Sequence, residues 1–474
     1  MSSPVMMSVM RCFRFTRVRL WSVYSTAQNR QVFAHSCLRR LSTMSHTVPP
    51  VLSVVPSRAL VDEKFRVLVE NLPPGAPVTL HSLHQSEDKD YWEAYGHYIS
   101  DERGAVSVAD DLSFGGTYKG KEAMGLLWSM RPVPGSRDGL RLRKSDVCTP
   151  LLVNISVYSG HVTEGFREQS PLALAITERW YMAPGVQRIV IKEEGVKGTL
   201  FIPPGPGPFP GILDMWGGSG GLMEYRSSLL ASHGYISFAL EYFSPGELKS
   251  ADTEFEYFEK AFNIIQKHPQ VIPDRVGAFG LSLGSVFTIM LAAESNVIKL
   301  QCGVCVSGNH LYPRELTLRG VFLVLASKSH KIRHDENNYE IWRDMGLAIV
   351  NNPTKGKVDV GKINCPLMLL NGGDDQNWPT VEAAEDMAQM LRAVGKEHLL
   401  TRVTYPDAGH LIEPPYSPHF RATKFIKDIT KEKVILLWGG QTKPHADAQE
   451  DAWNKILSFL QQHLYSNTTP KARM

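Results

Sequence analysis

Alternating hydrophobic and polar positions mark the first third of the chain as β structure. Phe65, Val67 and Val69 fall on every second position, and Leu151–Tyr158 repeats the alternation. A two-residue period places the apolar side chains of a strand on one face. Short alternating strands separated by Pro- and Gly-containing turns predict an all-β sandwich. We assign this N-terminal sandwich domain to residues 48–165.

From about residue 185 the pattern changes to buried strands that alternate with helices. This order predicts a mostly parallel sheet covered on both faces, and we assign residues 185–465 to it. The stretch 309–360 is polar and predicted to be irregular, an excursion that could form a cap. The predicted strands are Val186–Ile191, Gly198–Ile202, one around Ile212–Leu213, Tyr235–Tyr242, Val276–Leu281, Leu300–Val306, Pro366–Leu370 and Leu400–Tyr405; the predicted helices start near Tyr225 or cover Glu254–Lys267, Val286–Ala293, Val381–Val394 and Asp447–Leu464.

Gly280–Gly284 reads Gly-Leu-Ser-Leu-Gly and matches the G-x-S-x-G motif. The motif lies between a predicted buried strand and a predicted helix, where a strained turn presents the serine above the sheet edge. This context favours Ser282 as a nucleophile and an α/β-hydrolase fold for the C-terminal domain. The overall fold class is therefore α/β, with the all-β sandwich preceding the hydrolase domain.

A serine hydroxyl needs a neighbouring base to act as a nucleophile. In α/β-hydrolases an acid and then a histidine follow the serine along the chain, each after a later strand. Asp374 and Asp375 follow one predicted strand, and His410 follows the next. Spacing alone does not choose between the two aspartates. Adjacent residues point in different directions, so one of the two is expected to accept hydrogen bonds from local backbone amides instead.

The oxyanion hole is expected to use two backbone N–H groups. One belongs to Leu283, the residue after the proposed nucleophile, and the other lies in the loop around Trp216 and Gly217. No metal or organic cofactor is needed for this chemistry.

The two termini carry possible targeting signals. Residues 1–41 contain seven arginines and no Lys, Asp or Glu, a composition typical of an organelle transit peptide. We predict a mitochondrial matrix location, with peroxisome or cytosol as alternatives. Translation could instead start at Met44. Ala472–Met474 is loosely similar to a peroxisomal tripeptide.

Composition narrows the function classes. The 474 residues are 43% hydrophobic and 21% charged, which is ordinary for a globular protein. Outside residues 1–41 acidic side chains outnumber basic ones, which argues against broad nucleic-acid binding. The uncharged stretch Val276–Ala293 contains three glycines and is better explained as strand, turn and helix than as a membrane span. We expect a monomer without an integral membrane segment.

Cys302 and Cys305 form a CxxC sequence, which could indicate a redox or zinc site. They lie in a predicted strand, where residues three apart face opposite sides. We therefore expect two buried apolar side chains.

Several segments together give the chain a resemblance to the type I acyl-CoA thioesterase / bile acid-CoA:amino acid N-acyltransferase family over about residues 50–465. The resemblance implies a sandwich followed by an α/β-hydrolase domain, and a triad of Ser282, Asp375 and His410. The segments are Met124–Trp128, Gly198–Pro204, Gly207–Gly211, Asp214–Gly218, Gly220–Leu230, Gly409–Tyr416 and Trp438–Gly440.

The nucleophile separates the two branches of that family. Its amino-acid-conjugating members use cysteine, and an acyl-serine ester suits hydrolysis by water better than attack by an amine. Ser282 therefore favours a thioesterase that cleaves long-chain fatty acyl-CoA to free fatty acid and coenzyme A. Two alternatives stay open: an acyltransferase to glycine or taurine, and a hydrolase-like fold that binds acyl-CoA without catalysis.

Overall fold

The computed structural model describes residues 48–218, 221–243, 253–352, 356–427 and 430–465. The predicted transit peptide and the C-terminal tripeptide lie outside the described residues.

Two sheets form the N-terminal sandwich that the alternating pattern predicts. The smaller has the order β1-β3-β6 and the larger the order β2-β9-β8-β4-β5-β7. Inward positions of the alternation, such as Val67 and Ile155, are buried, which explains the pairing of the two sheets. The strand β9 extends the larger sheet past residue 165. The elements are β1 Val51–Val55, β2 Arg58–Leu60, β3 Arg66–Glu70, β4 Pro77–Gln85, β5 Tyr91–Ile99, β6 Val106–Ser107, α1 Gly125–Trp128, β7 Arg131–Pro132, β8 Leu151–Ser159 and β9 Ala173–Trp180.

The rest of the described chain builds an eight-stranded sheet with helices on both faces. Its order is β10-β11-β13-β12-β14-β15-β18-β19, antiparallel over the first three strands and parallel beyond them. This is the α/β-hydrolase architecture predicted from the sequence. The elements are β10 Gln187–Glu193, β11 Val196–Ile202, β12 Phe209–Met215, α2 Tyr225–Ser232, β13 Ile236–Glu241, α3 Phe255–Gln266, β14 Val271–Leu281, α4 Leu283–Glu294, β15 Gly303–Val306, α5 Leu318–Ala326, β16 Arg333–His334, β17 Glu340–Ile341, α6 Arg343–Val350, β18 Leu367–Gly372, α7 Thr380–Ala393, β19 Leu400–Tyr405, β20 Ala422–Ile426, β21 Lys433–Leu437 and α8 Thr442–Leu460.

The two faces of the sheet carry separate hydrophobic clusters, and the CxxC sequence shows the division. Cys302 is fully buried in the cluster that contains Trp453 of α8, whereas Cys305 is fully buried in the cluster that contains Phe287 of α4. Burial raises the pKa of both thiols well above its usual range. The prediction of two buried apolar side chains is confirmed.

Three parts of the fold differ from the predicted elements. The stretch 309–360 contains the helices α5 and α6 rather than irregular structure alone. The hairpin of β20 and β21 was not predicted; it joins β16 and β17 in a four-stranded sheet. The last helix begins at Thr442, five residues before the predicted start. Across the described ranges, no helix is both long and apolar enough to cross a membrane.

Candidate active site

The strand β14 ends in a tight turn that carries Ser282. Ser282 has φ 53° and ψ −115°, a backbone conformation that is strained for a residue with a side chain, and α4 begins at the next residue. Its side chain is nearly buried, with 9% of the residue exposed. The turn therefore presents one hydroxyl at the carboxyl edge of a central strand, as the motif predicts.

The two glycines of the motif are required by the packing of this turn. A Cβ on Gly280 would lie 2.3 Å from the carbonyl carbon of Gly284. A Cβ on Gly284 would lie 2.0 Å from the carbonyl oxygen of Met215, on the neighbouring strand β12. Larger residues would therefore force the helix away from the strand and displace Ser282.

The structure brings three predicted residues into one hydrogen-bonded chain. The distance between Nε2 of His410 and Oγ of Ser282 is 2.8 Å. The distance between Nδ1 of His410 and Oδ2 of Asp375 is 2.7 Å. The imidazole is fully buried and Asp375 is 2% exposed. This arrangement lets the imidazole accept the hydroxyl proton while the carboxylate fixes its tautomer.

The two neighbouring aspartates have different partners. Asp375 uses its second oxygen, Oδ1, to accept the backbone N–H groups of Asn377 and Trp378, at 2.8 and 2.9 Å. Asp374 instead accepts the backbone N–H of Gly440 at 2.8 Å. Of the two carboxylates, only that of Asp375 contacts the imidazole. Asp374 instead accepts a backbone N–H group of a neighbouring loop. Spacing alone had left both arrangements open for either residue.

Backbone contacts hold His410 in place. Its N–H donates to the carbonyl of Trp438 at 2.9 Å, and its carbonyl accepts the hydroxyl of Ser307 at 2.6 Å. The indole of Trp438 stacks on the imidazole at 5.5 Å between ring centroids. A Cβ on Gly409 would lie 2.4 Å from the carbonyl oxygen of Gly439, so the loops after β19 and β21 meet in close contact. The unpredicted hairpin β20–β21 thus supports the histidine.

The residues predicted for the oxyanion hole, Leu283, Trp216 and Gly217, line the same pocket as Ser282. Leu283 is the first residue of α4, where backbone N–H groups have no partner within the helix. Gly217 lies beside Ser282, since a Cβ there would be 3.9 Å from Oγ of Ser282. The carbonyl of Trp216 accepts the hydroxyl of Tyr242. Because C=O and N–H point in opposite directions across a trans peptide, the N–H of Gly217 faces away from Tyr242.

A pocket with about 510 Å³ of empty space, open solvent included, lies beside Ser282 and His410. Its walls are mostly apolar, with residues from α5 and from the hairpin β20–β21. A second pocket, with about 650 Å³ of empty space on the same measure, shares three of these wall residues: Phe322, Leu325 and Trp342. The two pockets therefore adjoin across α5.

The sandwich domain also contributes to this pocket through Arg141. Its Nη2 is 2.6 Å from Oε1 of Glu413, and both side chains are nearly buried, at 7% and 5% exposed. Oε2 of Glu413 accepts the hydroxyl of Tyr225 at 2.8 Å. Sequence reasoning missed Arg141, Asn377 and their place in the pocket, because no local motif surrounds either residue. Within the described residues, no group of three His, Cys, Asp or Glu side chains could hold a metal ion.

Comparison with known families gives two matches that together cover most of the chain. Residues 253–466 match the family described as "BAAT / Acyl-CoA thioester hydrolase C terminal". Residues 62–193 match "Acyl-CoA thioester hydrolase/BAAT N-terminal region".

Curated relatives align over nearly the whole length of both chains. The peroxisomal succinyl-coenzyme A thioesterase of Mus musculus is 37% identical over 428 residues, which is 88% of this chain and 97% of that protein. Acyl-coenzyme A thioesterase 2, mitochondrial, from the same organism is 36% identical over 430 residues, or 88% and 90% of the two chains. Among solved structures, an acylaminoacyl peptidase of Pyrococcus horikoshii covers 87% of this chain and 62% of its own at 12% identity, with a TM-score of 0.40.

Proposed function

The chain belongs to the acyl-CoA thioester hydrolase/BAAT family, and from this membership we propose that it hydrolyses fatty acyl-CoA to free fatty acid and coenzyme A. The observation that carries the proposal is the hydrogen-bonded chain of Ser282, His410 and Asp375 beside an apolar pocket. The two thioesterase relatives named above support the reaction class.

In the proposed mechanism His410 accepts the proton of Ser282 at Nε2 as Oγ attacks the thioester carbonyl carbon. The tetrahedral intermediate collapses, the carbon–sulfur bond breaks, and the same proton passes to sulfur, so that coenzyme A leaves as a thiol. A water molecule then gives a proton to His410 and attacks the acyl-serine ester. Collapse of the second intermediate returns that proton to Oγ and releases the fatty acid. Asp375 stabilises the imidazolium in both halves of the cycle.

The negative charge on the intermediate oxygen requires fixed donors. We assign this role to the backbone N–H of Leu283 and to a second N–H from Trp216 or Gly217. Removal of one such donor costs roughly 2.7–4 kcal/mol of transition-state stabilisation in enzymes of this kind.

The two adjoining apolar pockets support a long acyl chain as the substrate. A chain bound at Ser282 can continue past Leu325 into the second pocket, where burial of each further CH₂ contributes about 0.8 kcal/mol. We expect Leu325→Phe to narrow this passage and to lower kcat/KM for palmitoyl-CoA more than for butyryl-CoA. A parallel loss for both substrates would contradict this path.

The decisive test is Ser282→Ala, assayed with palmitoyl-CoA by release of the coenzyme A thiol. Loss of the nucleophile should lower kcat by about 10⁴–10⁶-fold. Ser295→Ala, at the other end of α4, is the matched control and should retain wild-type turnover. Full activity in Ser282→Ala would refute the proposal.

The family that the sequence resembles includes amino-acid-conjugating members, so the acceptor must be tested. Glycine and taurine are added to the same reaction, and the products are examined by mass spectrometry. We expect free fatty acid alone. An acyl-glycine or acyl-taurine product that depends on Ser282 would replace hydrolysis by acyl transfer.

We also propose that residues 1–41 direct the protein to the mitochondrial matrix and precede a sandwich domain at 48–165 and a hydrolase domain at 185–465. The test compares the localisation of three fluorescently tagged chains: the full chain, the chain that starts at Met44, and the chain that lacks Ala472–Met474. Mitochondrial fluorescence of the chain that lacks residues 1–43 would refute the proposed targeting role of residues 1–41.

A further inference from the structure

Three side-chain donors in the pocket beside Ser282 have no hydrogen-bond partner within the part of the chain that the structure describes. They are Nη1 of Arg141, Nδ2 of Asn377 and the indole Nε1 of Trp216, and all three atoms are buried. All three residues line the pocket that contains Ser282 and His410. A buried polar atom without a partner costs free energy, roughly 1–3 kcal/mol for each group. A ligand that supplies hydrogen-bond acceptors at this place would remove that cost.

The charge around Arg141 decides which acceptor fits. Glu413 lies 2.6 Å from Nη2 and already compensates the guanidinium. The Arg143 guanidinium also lies over the Trp216 ring, 5.6 Å from its centroid, so a carboxylate at Nη1 would join two cations and one anion in a nearly buried site, where it would have to be desolvated. A neutral carbonyl needs one donor and brings no charge. Asn377 and Trp216 are themselves neutral donors, so the set fits uncharged acceptor oxygens.

Acyl-CoA carries two such oxygens close to its thioester, the amide carbonyls of the pantetheine arm. We propose that Arg141 and Asn377 bind these carbonyls and so hold the leaving-group side of the substrate in the pocket. This inference rests on the proposed function. It gives the sandwich domain a direct part in substrate binding, because Arg141 belongs to the segment between β7 and β8.

The experiment compares substrates that carry or lack the amides. Octanoyl-CoA carries both amides, S-octanoyl-N-acetylcysteamine carries one, and p-nitrophenyl octanoate carries none. The variants are Arg141→Lys, which keeps a cation opposite Glu413, and Asn377→Leu, which keeps the size of the side chain. Arg137→Lys is the matched control, since Arg137 is an exposed residue of the same segment and pairs with Asp90.

We expect each pocket variant to lower the ratio of kcat/KM for octanoyl-CoA to that for p-nitrophenyl octanoate about tenfold, the value of one hydrogen bond, mainly through KM. For S-octanoyl-N-acetylcysteamine, the ratio of kcat/KM to that for p-nitrophenyl octanoate should fall in one of the two variants at most, because this substrate carries one amide. The control should leave the ratio unchanged. Binding of desulfo-CoA by isothermal titration calorimetry reports the same contacts without turnover and should weaken about tenfold.

Unchanged ratios and unchanged desulfo-CoA binding in both variants would overturn the proposal. A loss seen with adipoyl-CoA and not with hexanoyl-CoA would also overturn it, because Arg141 would then bind a carboxylate of the acyl chain. If the wild type hydrolyses the aryl ester but no acyl-CoA, the proposed function fails, and the calorimetry still decides whether Arg141 and Asn377 bind the arm. If Arg141→Lys does not fold, the same kcat/KM ratios and desulfo-CoA binding are measured with Asn377→Leu alone.

Discussion

Two histidine–aspartate pairs with buried imidazoles have the same nitrogen–oxygen distance and different surroundings. His410 and Asp375 are separated by 2.7 Å, and so are His310 and Asp386. Both imidazoles are fully buried. At His410 the second ring nitrogen faces the hydroxyl of Ser282, whereas at His310 the second nitrogen is buried without a partner among the described residues.

The carboxylates differ as well. Asp386 also contacts Nζ of Lys357 at 2.8 Å, which compensates its charge. Asp375 accepts two backbone N–H groups and leaves its charge directed at the imidazole. Of these two pairs, only the one at His410 also faces a hydroxyl group among the described residues. The strained turn that places Ser282 on the far side of the ring makes this difference.

The largest expected contrast is in turnover. Asp375→Asn should lower kcat for palmitoyl-CoA by about 10⁴-fold, because an amide favours the wrong imidazole tautomer. Asp386→Asn should change kcat by less than a few-fold, since the second ring nitrogen of His310 has no hydrogen-bond partner among the described residues. Similar losses in the two variants would show that the pairs are not distinct in function.

The stabilities should rank in the opposite order. Asp386→Asn removes the charge that pairs with Lys357 and should cost about 1–3 kcal/mol of unfolding free energy. Asp375→Asn keeps an oxygen for the N–H groups of Asn377 and Trp378 and should cost less. Urea denaturation of both variants beside the wild type measures this ranking, and a larger loss for Asp375→Asn would reverse it.

The smallest effect concerns pH. Burial lowers the pKa of His310 below its usual value of about 6.5, despite the hydrogen bond to Asp386. Below pH 6.5 the unfolded chain therefore binds a proton at this residue more readily than the folded protein does. The contribution of His310 to the free energy of unfolding is fully present above pH 6.5 and falls as the pH drops, by up to about 1.4 kcal/mol per pH unit.

His310→Gln removes this share of the pH dependence. Urea denaturation between pH 7 and 5 should give a less steep loss of stability than in the wild type. Part of the dependence of the unfolding free energy on pH remains in the variant because of other buried histidines. Burial lowers the pKa of His445, for example, to about 3. A slope identical to that of the wild type would contradict the assignment.

The order of the site residues could be predicted because it depends on strand ends. Ser282 and the aspartate pair each follow a central strand, His410 follows the half-exposed edge strand β19, and parallel strands bring such positions to one edge. The choice of Asp375 over Asp374 depends on side-chain direction within one loop. Local spacing does not contain that information, and the family resemblance supplied it.

Features that depend on distant contacts were beyond the sequence. Arg141 reaches the pocket from another domain, and Trp438 reaches His410 from a hairpin whose strands carry no strong alternation. The early start of α8 was missed because Pro444 interrupts the helical pattern. Proline is tolerated in the first turn of a helix, where its missing N–H has no partner to lose.

The buried contact between Arg141 and Glu413 has a consequence for protein engineering. Glu413 lies three residues after His410 and shares its two oxygens between a donor from the sandwich and Tyr225 of the hydrolase half. In a chimaera with an unrelated domain in place of the sandwich, Glu413 loses the Arg141 guanidinium. Its carboxylate is then left without that partner beside the loop that carries the imidazole. We therefore expect that the hydrolase half cannot be combined freely with other N-terminal domains, and that a working chimaera must keep Arg141 and Glu413 together.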